Sequence, residues 1–286
     1  MSLWYSIIDF LFPFEWAQYD FMKNALLGVL LVTPMFGILG TMVVNNKMSF
    51  FSDALGHSAL TGIAVGVMFG INNTLVSMLA FSILLTIAII NVKNAKTASV
   101  DTIIGVFSSS AVALGIVILS YNGGFNKYSA YLIGDLLSIS NNDIFMLIIS
   151  FIAVLLIWFT CFNKFLLVSI NHTFARSRGV NVKFYEYIFT ILVAIIVTIS
   201  IQWVGILVIS SMMILPAASA RNISNNIRQY HIYSISIAVI SGILGLFLSY
   251  HFGCATGATI VLISSVFFAL TYFISLRKVT RSEERR

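Results

Sequence analysis

Residues 143–162 read DIFMLIISFIAVLLIWFTCF, twenty positions whose single charged side chain is Asp143 at the first of them. A helix that crosses the hydrocarbon core of a bilayer needs about 20 mainly apolar residues. This stretch is therefore predicted to span a membrane. Eight further stretches fit the same description, and the full set of candidate spans is 24–44, 54–71, 74–92, 102–121, 143–162, 185–201, 204–220, 232–250 and 256–276.

The composition of the whole chain agrees with a membrane protein and excludes two other classes. Hydrophobic residues make up 59% of the 286 residues and charged residues only 9%, whereas an ordinary globular domain is about 25% charged. So few charges cannot solvate the surface of a soluble protein, and the chain is too hydrophobic to be disordered. The sequence predicts an all-α, polytopic transmembrane helical bundle of about nine spans (eight to ten), forming one domain over residues 1–286.

The basic residues are distributed unevenly among the predicted loops. If the C-terminus is cytoplasmic, all 16 Lys and Arg residues except Lys23 and Lys127 fall on the inner side. Cytoplasmic loops of membrane proteins carry an excess of positive charge. The pattern therefore predicts nine spans with the N-terminus outside and the C-terminus inside. It also explains the net charge of +6 without a nucleic-acid partner.

Three segments lie outside the predicted spans. Residues 1–20 are dense in Trp, Tyr and Phe, which favours an aromatic anchor at the membrane–water interface. Residues 163–184 mix apolar and basic positions, and either a short amphipathic helix on the cytoplasmic surface or a basic hairpin loop fits them. A helix there would offer a docking surface to a cytosolic partner. Residues 277–286 are predicted to be a basic cytoplasmic tail.

The segment FFSDALGHSALTGIAVGVMFG, residues 50–70, carries the polar residues that point to chemistry. Asp53 and His57 are four positions apart, so in a helix both side chains can converge on one ligand. A neighbouring ridge of small residues would let another helix approach closely. Its members are predicted to be helix-packing residues: Ser58, Gly62, Gly66 and Gly70.

Two interpretations of the Asp53 and His57 pair remain open at this point. An acidic residue inside a membrane helix usually faces a cavity or a partner. Carboxylate and imidazole are ligands that suit Zn²⁺ and tolerate Mn²⁺ or Fe²⁺. Two ligands alone bind an ion weakly, which suits a path that must release its ion. Two copies of the pair in a dimer would supply four ligands. Alternatively, Asp53 caps a helix in the headgroup region and His57 is a packing residue.

Other polar residues are secondary candidates for a metal path. Asp135 lies in an outer stretch that fits a re-entrant helix or an ordinary loop, and His251 lies near the outer end of a span. Asp101, at the start of another span, is interpreted as a helix cap. The sequence has no H-E-x-x-H motif of zinc proteases and no G-x-x-x-x-G-K-[ST] loop. The chain is therefore not expected to bind ATP through a P-loop.

Five blocks in order resemble one known family. They are MSFFSDALGHSALTGIAVG (48–66), DTIIGVFSSSAVALGIVILS (101–120), AYLIGDLLSIS (130–140), VGILVISSMMILPAASAR (204–221) and TGATIVL (256–262). From about residue 22 to 276 the chain resembles the permease subunits of the zinc/manganese/iron ABC uptake transporters. The resemblance implies a multi-pass protein of a prokaryotic cell (inner) membrane. It also implies a second permease copy, a cytosolic ABC ATPase that hydrolyses the ATP, an extracytoplasmic metal-binding protein and surrounding lipid.

The resemblance also implies roles for individual residues. Asp53 and His57 match the family's D-A-x-x-H block, which lines the metal path. Phe174, Ala175 and Gly179 match the segment that couples to the ATPase, although Asn171 and His172 stand where relatives often carry an Asp. The transported ion is the only metal implied, with no permanently bound cofactor. Zinc-type members resemble this chain at Asp135, whereas manganese-type members more often carry Asn, so zinc is expected.

Two other functions fit parts of the same sequence. A secondary metal carrier driven by proton exchange also uses Asp and His on membrane helices, but it would leave the 163–184 segment unexplained. A membrane scaffold without a transported solute would leave the Asp53 and His57 pair without a role. Manganese or iron in place of zinc is the alternative cargo.

Overall fold

The computed structural model describes residues 4–6, 8, 19–95, 98–121 and 134–283, except for the side chains of residue 207 and residues 278–283. All regular structure in these ranges is helical. The helices are α1 (Asp20–Asn45), α2 (Ser49–Met68), α3 (Thr74–Asn94), α4 (Val100–Tyr121), α5 (Asn141–Ile170), α6 (His172–Ser177), α7 (Val182–Val204), α8 (Ile206–Ile223), α9 (Ile227–Phe252) and α10 (Thr256–Glu283), and a single 3₁₀ turn covers Leu136–Ser138.

Asparagine side chains begin four of these helices. Each accepts a hydrogen bond from backbone N–H groups of the first turn, which otherwise have no partner. The four caps are Asn73 for α3, Asn171 for α6, Asn181 for α7 and Asn226 for α9. At the other end, α9 stops at Gly253, whose φ of 62° is a left-handed conformation that favours glycine.

Among the residues that the structure describes, seven helices are long and apolar enough to cross a membrane: α1, α3, α4, α5, α7, α9 and α10. The helical membrane bundle is therefore confirmed, but the predicted count of nine spans and the orientation of the termini are not. The remaining two candidates correspond to α2 and α8. In α2 the Asp, His, Ser and Gly residues lower the hydropathy, and most of its residues are buried. A membrane helix that packs against other helices can carry polar residues where they face a cavity or a partner instead of lipid.

The chain divides into two compact units. The first comprises residues Met1–Thr41, Asp135–Phe151 and Ser211–Arg286. In it α9 packs against α10, and a Cβ on Gly245 would lie 2.7 Å from the Cα atom of Ile260. Ser234 also donates a hydrogen bond to the carbonyl oxygen of Gly37, 2.7 Å away. Close backbone approach and hydroxyl-to-carbonyl bonds of this kind are typical of helix contacts in membranes.

The second unit comprises Met42–Gly134 and Ile152–Ser210 and has α2 at its centre. Helices α3, α4 and α7 all pack against α2. Thr198 of α7 donates to the hydroxyl of Ser82 of α3 at 2.9 Å. A buried ion pair between Lys93 and Glu186 joins the last turn of α3 to the second turn of α7. Pairing of this kind offsets the cost of placing charges inside a helix bundle.

The three segments predicted to lie outside the spans, 1–20, 163–184 and 277–286, agree with the structure to different extents. Most of the predicted anchor 1–20 lies outside the described residues, but the indole of Trp4 donates to the carbonyl oxygen of Lys23, and the hydroxyl of Tyr5 bonds Asn24 at 2.9 Å. The predicted tail begins inside α10, which continues to Glu283. Within 163–184, where a short amphipathic helix and a basic hairpin loop were both left open, α5 extends to Ile170 and the six residues of α6 form a short helix.

Candidate metal path

The Asp53 and His57 pair lies in the second and third turns of α2. The helix begins at Ser49, and Met48, which precedes it, makes no side-chain capping bond. Asp53 is therefore not a helix cap, and the capping interpretation of this residue is wrong. The same correction applies to Asp101, because the hydroxyl of Ser99 accepts the N–H of Thr102 at the start of α4.

The two side chains meet as their spacing predicts. The Nε2 atom of His57 lies 3.5 Å from Oδ1 of Asp53, and the side chains are 33% and 45% exposed respectively. Each group is therefore reachable from outside the protein interior while its neighbours on α2 are buried. An ion could bind the carboxylate oxygen and the ring nitrogen together once the proton on Nε2 has left.

A third group reaches the same carboxylate from a different helix. The hydroxyl of Ser210 donates a hydrogen bond to Oδ1 of Asp53 over 3.2 Å. Ser210 is 8% exposed and lies in the second turn of α8. This residue could not be predicted from the sequence pattern, because its partner is 157 positions away along the chain.

A helix break brings Ser210 to the pair. Helix α7 ends at Val204, α8 begins at Ile206, and the single residue between them, Gly205, has a φ of 85°. Because Gly56 has no side chain, α8 can approach α2 closely, and a Cβ there would lie 3.3 Å from Cγ2 of Ile206. Broken helices commonly form ion sites in transporters. The glycine between two apolar runs, VGI at 204–206, was the signal for this break in the sequence.

Two of the small residues predicted to pack α2 against another helix contact α3. A Cβ on Gly62 would lie 2.9 Å from Cα of Met78, and one on Gly66 would lie 2.5 Å from Cβ of Ser77, both in α3. Ser58 is fully buried and donates to the carbonyl of Leu55 in its own helix. The prediction for Gly70 is wrong. Helix α2 ends before it, its φ is 70°, and a Cβ there would touch nothing within 4 Å, so its role is to turn the chain.

The secondary candidates make local contacts. The carboxylate of Asp135 accepts the N–H of Leu137 at 3.0 Å and so caps the 3₁₀ turn. In the described part of this outer stretch, residues 134–140, the regular structure is this single turn. His251 is exposed at the end of α9, with its ring 4.3 Å from that of Phe247 and Nδ1 3.0 Å from the carbonyl oxygen of the same residue. Both residues belong to the first unit, whereas Asp53 and His57 belong to the second.

The residues predicted to couple to an ATPase form a compact turn. Ala175 is fully buried in α6 and packs with Val168, Val180 and Val182. Phe174, on the same helix, is 46% exposed. Gly179 closes the turn with a φ of 73°, and the N–H of Val180 bonds back to the carbonyl of Ala175. The cluster anchors α6 on one side and leaves an aromatic ring on the other.

Within the residues that the structure describes, no three His, Cys, Asp or Glu side chains are grouped so that they could hold a metal ion. Asp53 and His57 are therefore two candidate ligands without a third of these types, and the hydroxyl of Ser210 is a neutral oxygen beside the carboxylate. A site of this kind binds weakly and releases easily, which suits passage of an ion better than permanent storage.

Known proteins are similar to this chain over nearly its whole length. Residues 18–275 match the family model described as the ABC 3 transport family. The manganese import system permease protein ScaB of Streptococcus parasanguinis is 33% identical over 258 residues, covering 90% of this chain and 92% of that protein. The high-affinity zinc uptake system membrane protein ZnuB of Buchnera aphidicola subsp. Baizongia pistaciae is 34% identical over 264 residues, covering 91% and 98%.

One solved structure agrees in fold along the chain. PsaBC from Streptococcus pneumoniae, determined in complex with a Fab, superposes with a TM-score of 0.79 at 28% sequence identity and covers 96% of each chain. The matched residues 18–275 include all five blocks on which the resemblance was based. The chain belongs to the ABC 3 transport family of membrane permeases.

Proposed function

We propose that this chain is the permease subunit of an ATP-driven importer of divalent metal ions in a prokaryotic cell (inner) membrane, and that Asp53 and His57 bind the ion in transit. The observation that carries the proposal is the pair itself. Two ligand groups 3.5 Å apart lie on a buried helix of a family whose compared relatives are named as manganese and zinc permeases. Neither group is used as a helix cap.

Zinc is the cargo expected from the resemblance at Asp135, and manganese is the second candidate. The compared relatives do not separate the two ions, because the manganese and zinc permeases are 33% and 34% identical to this chain. One observation favours manganese. The Ser210 hydroxyl adds a second oxygen beside the Asp53 carboxylate, and oxygen ligands suit Mn²⁺ better than they suit Zn²⁺.

The partners follow from the same proposal. A cytosolic ABC ATPase would dock on α6, where the ring of Phe174 is exposed and Ala175 is anchored in the protein. Gly179 shapes the turn that follows. A second permease copy would bring a second Asp53 and His57 pair, and an extracytoplasmic binding protein would deliver the ion. Surrounding lipid would cover the exposed apolar faces of the spanning helices.

The experiment is metal uptake into proteoliposomes that contain the permease and its ATPase, with a metal-loaded binding protein on the extracytoplasmic side. Zinc and manganese are measured separately, with and without ATP. We expect ATP-dependent uptake of at least one ion and its loss in Asp53→Ala and His57→Ala, with the complex still assembled in size-exclusion chromatography. Asp143→Asn is the matched control, because this acidic residue bonds only Ser140 at the start of α5 among the described contacts.

Each alternative has its own outcome in this experiment. Uptake that follows a pH gradient and ignores ATP would replace the proposal with a secondary carrier. Absence of any metal movement in a fully assembled complex would favour a scaffold. ATP-dependent uptake that persists in Asp53→Ala would keep the importer and remove the assignment of the path to this pair.

A further inference from the structure

We propose that Ser210 is a positioning and specificity residue of the metal path, and that its hydroxyl makes the path favour Mn²⁺ over Zn²⁺. The inference rests on the proposed function and adds a third side chain to it. It starts from one contact, the hydrogen bond from the Ser210 hydroxyl to Oδ1 of Asp53 at 3.2 Å.

This hydroxyl does not make the bond that is usual for serine in a helix. Serine in a helix interior commonly bonds the carbonyl four residues earlier. Ser219 of the same helix does so, donating to the carbonyl of Leu215 at 2.7 Å, and Ser150 and Ser265 do the same in α5 and α10. Ser210 instead bonds a carboxylate on another helix. Its place is therefore explained by Asp53 and not by the local needs of α8.

The contact fixes the carboxylate. Oδ1 of Asp53 is within 3.2 Å of the Ser210 hydroxyl and 3.5 Å of Nε2 of His57, so groups from α8 and α2 meet at one oxygen. A carboxylate that is held from two sides loses rotamer freedom before the ion arrives. Outer partners that orient metal ligands in this way are commonly worth about 10- to 100-fold in affinity or activity.

The chemistry of the hydroxyl sets the direction of the preference. A serine hydroxyl has one proton to donate and lone pairs that can still accept or bind a cation. An ion bonded to Oδ1 of Asp53 would have a second oxygen beside it, the neutral hydroxyl of Ser210, together with one imidazole nitrogen from His57. Oxygen donors suit Mn²⁺, whereas thiolate and imidazole donors favour Zn²⁺. Changing the hydroxyl to a thiol should therefore change which ion passes, while the side chain keeps its shape and becomes only moderately larger.

The test compares Ser210→Ala, Ser210→Cys and Ser210→Thr in the assembled permease–ATPase complex, each with manganese- and zinc-loaded binding protein. We expect Ser210→Ala to lower manganese uptake by about 10-fold and zinc uptake by less. Ser210→Cys should shift the manganese-to-zinc ratio toward zinc, and Ser210→Thr, which keeps the hydroxyl, should restore much of the manganese uptake. Ser219→Ala is the control from the same helix and should leave the ratio unchanged.

A second measurement does not depend on transport. The Mn²⁺ bound by the purified complex is determined from the electron paramagnetic resonance signal of free Mn²⁺ in titrations of wild type and Ser210→Cys. Weaker Mn²⁺ binding by the variant would support the proposal. An unchanged ratio in Ser210→Cys, or an equal loss of both ions in Ser210→Ala, would overturn it. Failure of the wild-type complex to move either ion would instead overturn the proposed function, and this inference would fall with it.

Discussion

Asp135 is a residue whose local role differs from the one that its sequence context suggests. Its carboxylate accepts the N–H of Leu137 and begins the 3₁₀ turn of Leu136–Ser138. The oxygen of an Asn side chain can form the same bond, and Asn caps helical turns as well as Asp does. The capping role therefore requires an oxygen but no negative charge. It does not explain why zinc-type permeases would carry Asp at this position and manganese-type permeases Asn.

This argument predicts the behaviour of two variants. Asp135→Asn should keep both the stability of the permease and its zinc-to-manganese uptake ratio, because the cap survives. Asp135→Ala should lose the cap and about 1 kcal/mol of stability, again without a change in the ratio. Thermal unfolding in detergent and dual-metal uptake measure the two effects. A ratio that changes in Asp135→Asn would return this residue to the metal path.

The candidate metal path shows how far contacts between single residues can be predicted from sequence. Asp53 and His57 could be paired from their spacing alone, because i and i+4 residues share a helix face whatever surrounds the helix. Ser210 could not, because its contact with Asp53 depends on where α8 packs against α2. The turn at Gly70 was missed for a different reason. The four-residue spacing continues through Gly70, but the helix has already ended at Met68.

At the level of helices, the contact between α2 and α4 depends on one glycine. The hydroxyl of Thr61 in α2 donates to the carbonyl of Ala111 in α4. One turn further along α4, a Cβ on Gly115 would lie 2.9 Å from Cα of Thr61, so it would meet backbone and could not be relieved by a side-chain movement. The two helices can approach this closely only because Gly115 has no side chain.

Gly115→Ala should therefore force α4 away from α2 and destabilise the second unit by about 1–3 kcal/mol, the usual cost of overpacking. Gly105→Ala in the same helix is the control, because a Cβ there would have nothing within 4 Å. That variant should be neutral or slightly stabilising, since Ala favours helices more than Gly does. The midpoint temperatures of thermal unfolding of the two variants test this prediction. Equal midpoints would contradict the close contact between α2 and α4 at Gly115.

Helix ends were harder to predict than helix positions. Span 143–162 was placed from its apolar residues, but α5 continues to Ile170, eight residues beyond the predicted end. Hydropathy marks where the chain leaves the hydrocarbon, whereas the helix continues until its backbone bonds end. Here it ends next to Asn171, whose side chain caps α6. The capping asparagine is visible in the sequence, so this boundary could have been placed more accurately from capping than from hydropathy.

At the scale of the whole molecule, the number of membrane crossings depends chiefly on whether α2 and α8 cross. Helix α2 has 20 residues, which corresponds to about 30 Å of helix, enough for the hydrocarbon core of a bilayer. The polar side chains of Asp53 and His57 lower the mean hydropathy of α2, which is not among the seven helices that are long and apolar enough to span a membrane. Nevertheless, α3, α4 and α7 pack around it. We therefore expect α2 to cross the membrane and its two ends to lie on opposite sides.

Cysteine labelling tests this expectation directly. The native residues Cys161 and Cys254 are changed to Ser, and single cysteines are placed at Lys47 before α2 and Asn72 after it, both exposed positions. With nine spans and the N-terminus outside, an impermeant maleimide should label Asn72→Cys in intact cells but Lys47→Cys only after permeabilisation. A variant that restores Cys254, which is exposed after α9, serves as the outer reference. Labelling of both new positions from the same side would show that α2 does not cross, and the count of nine would then be wrong.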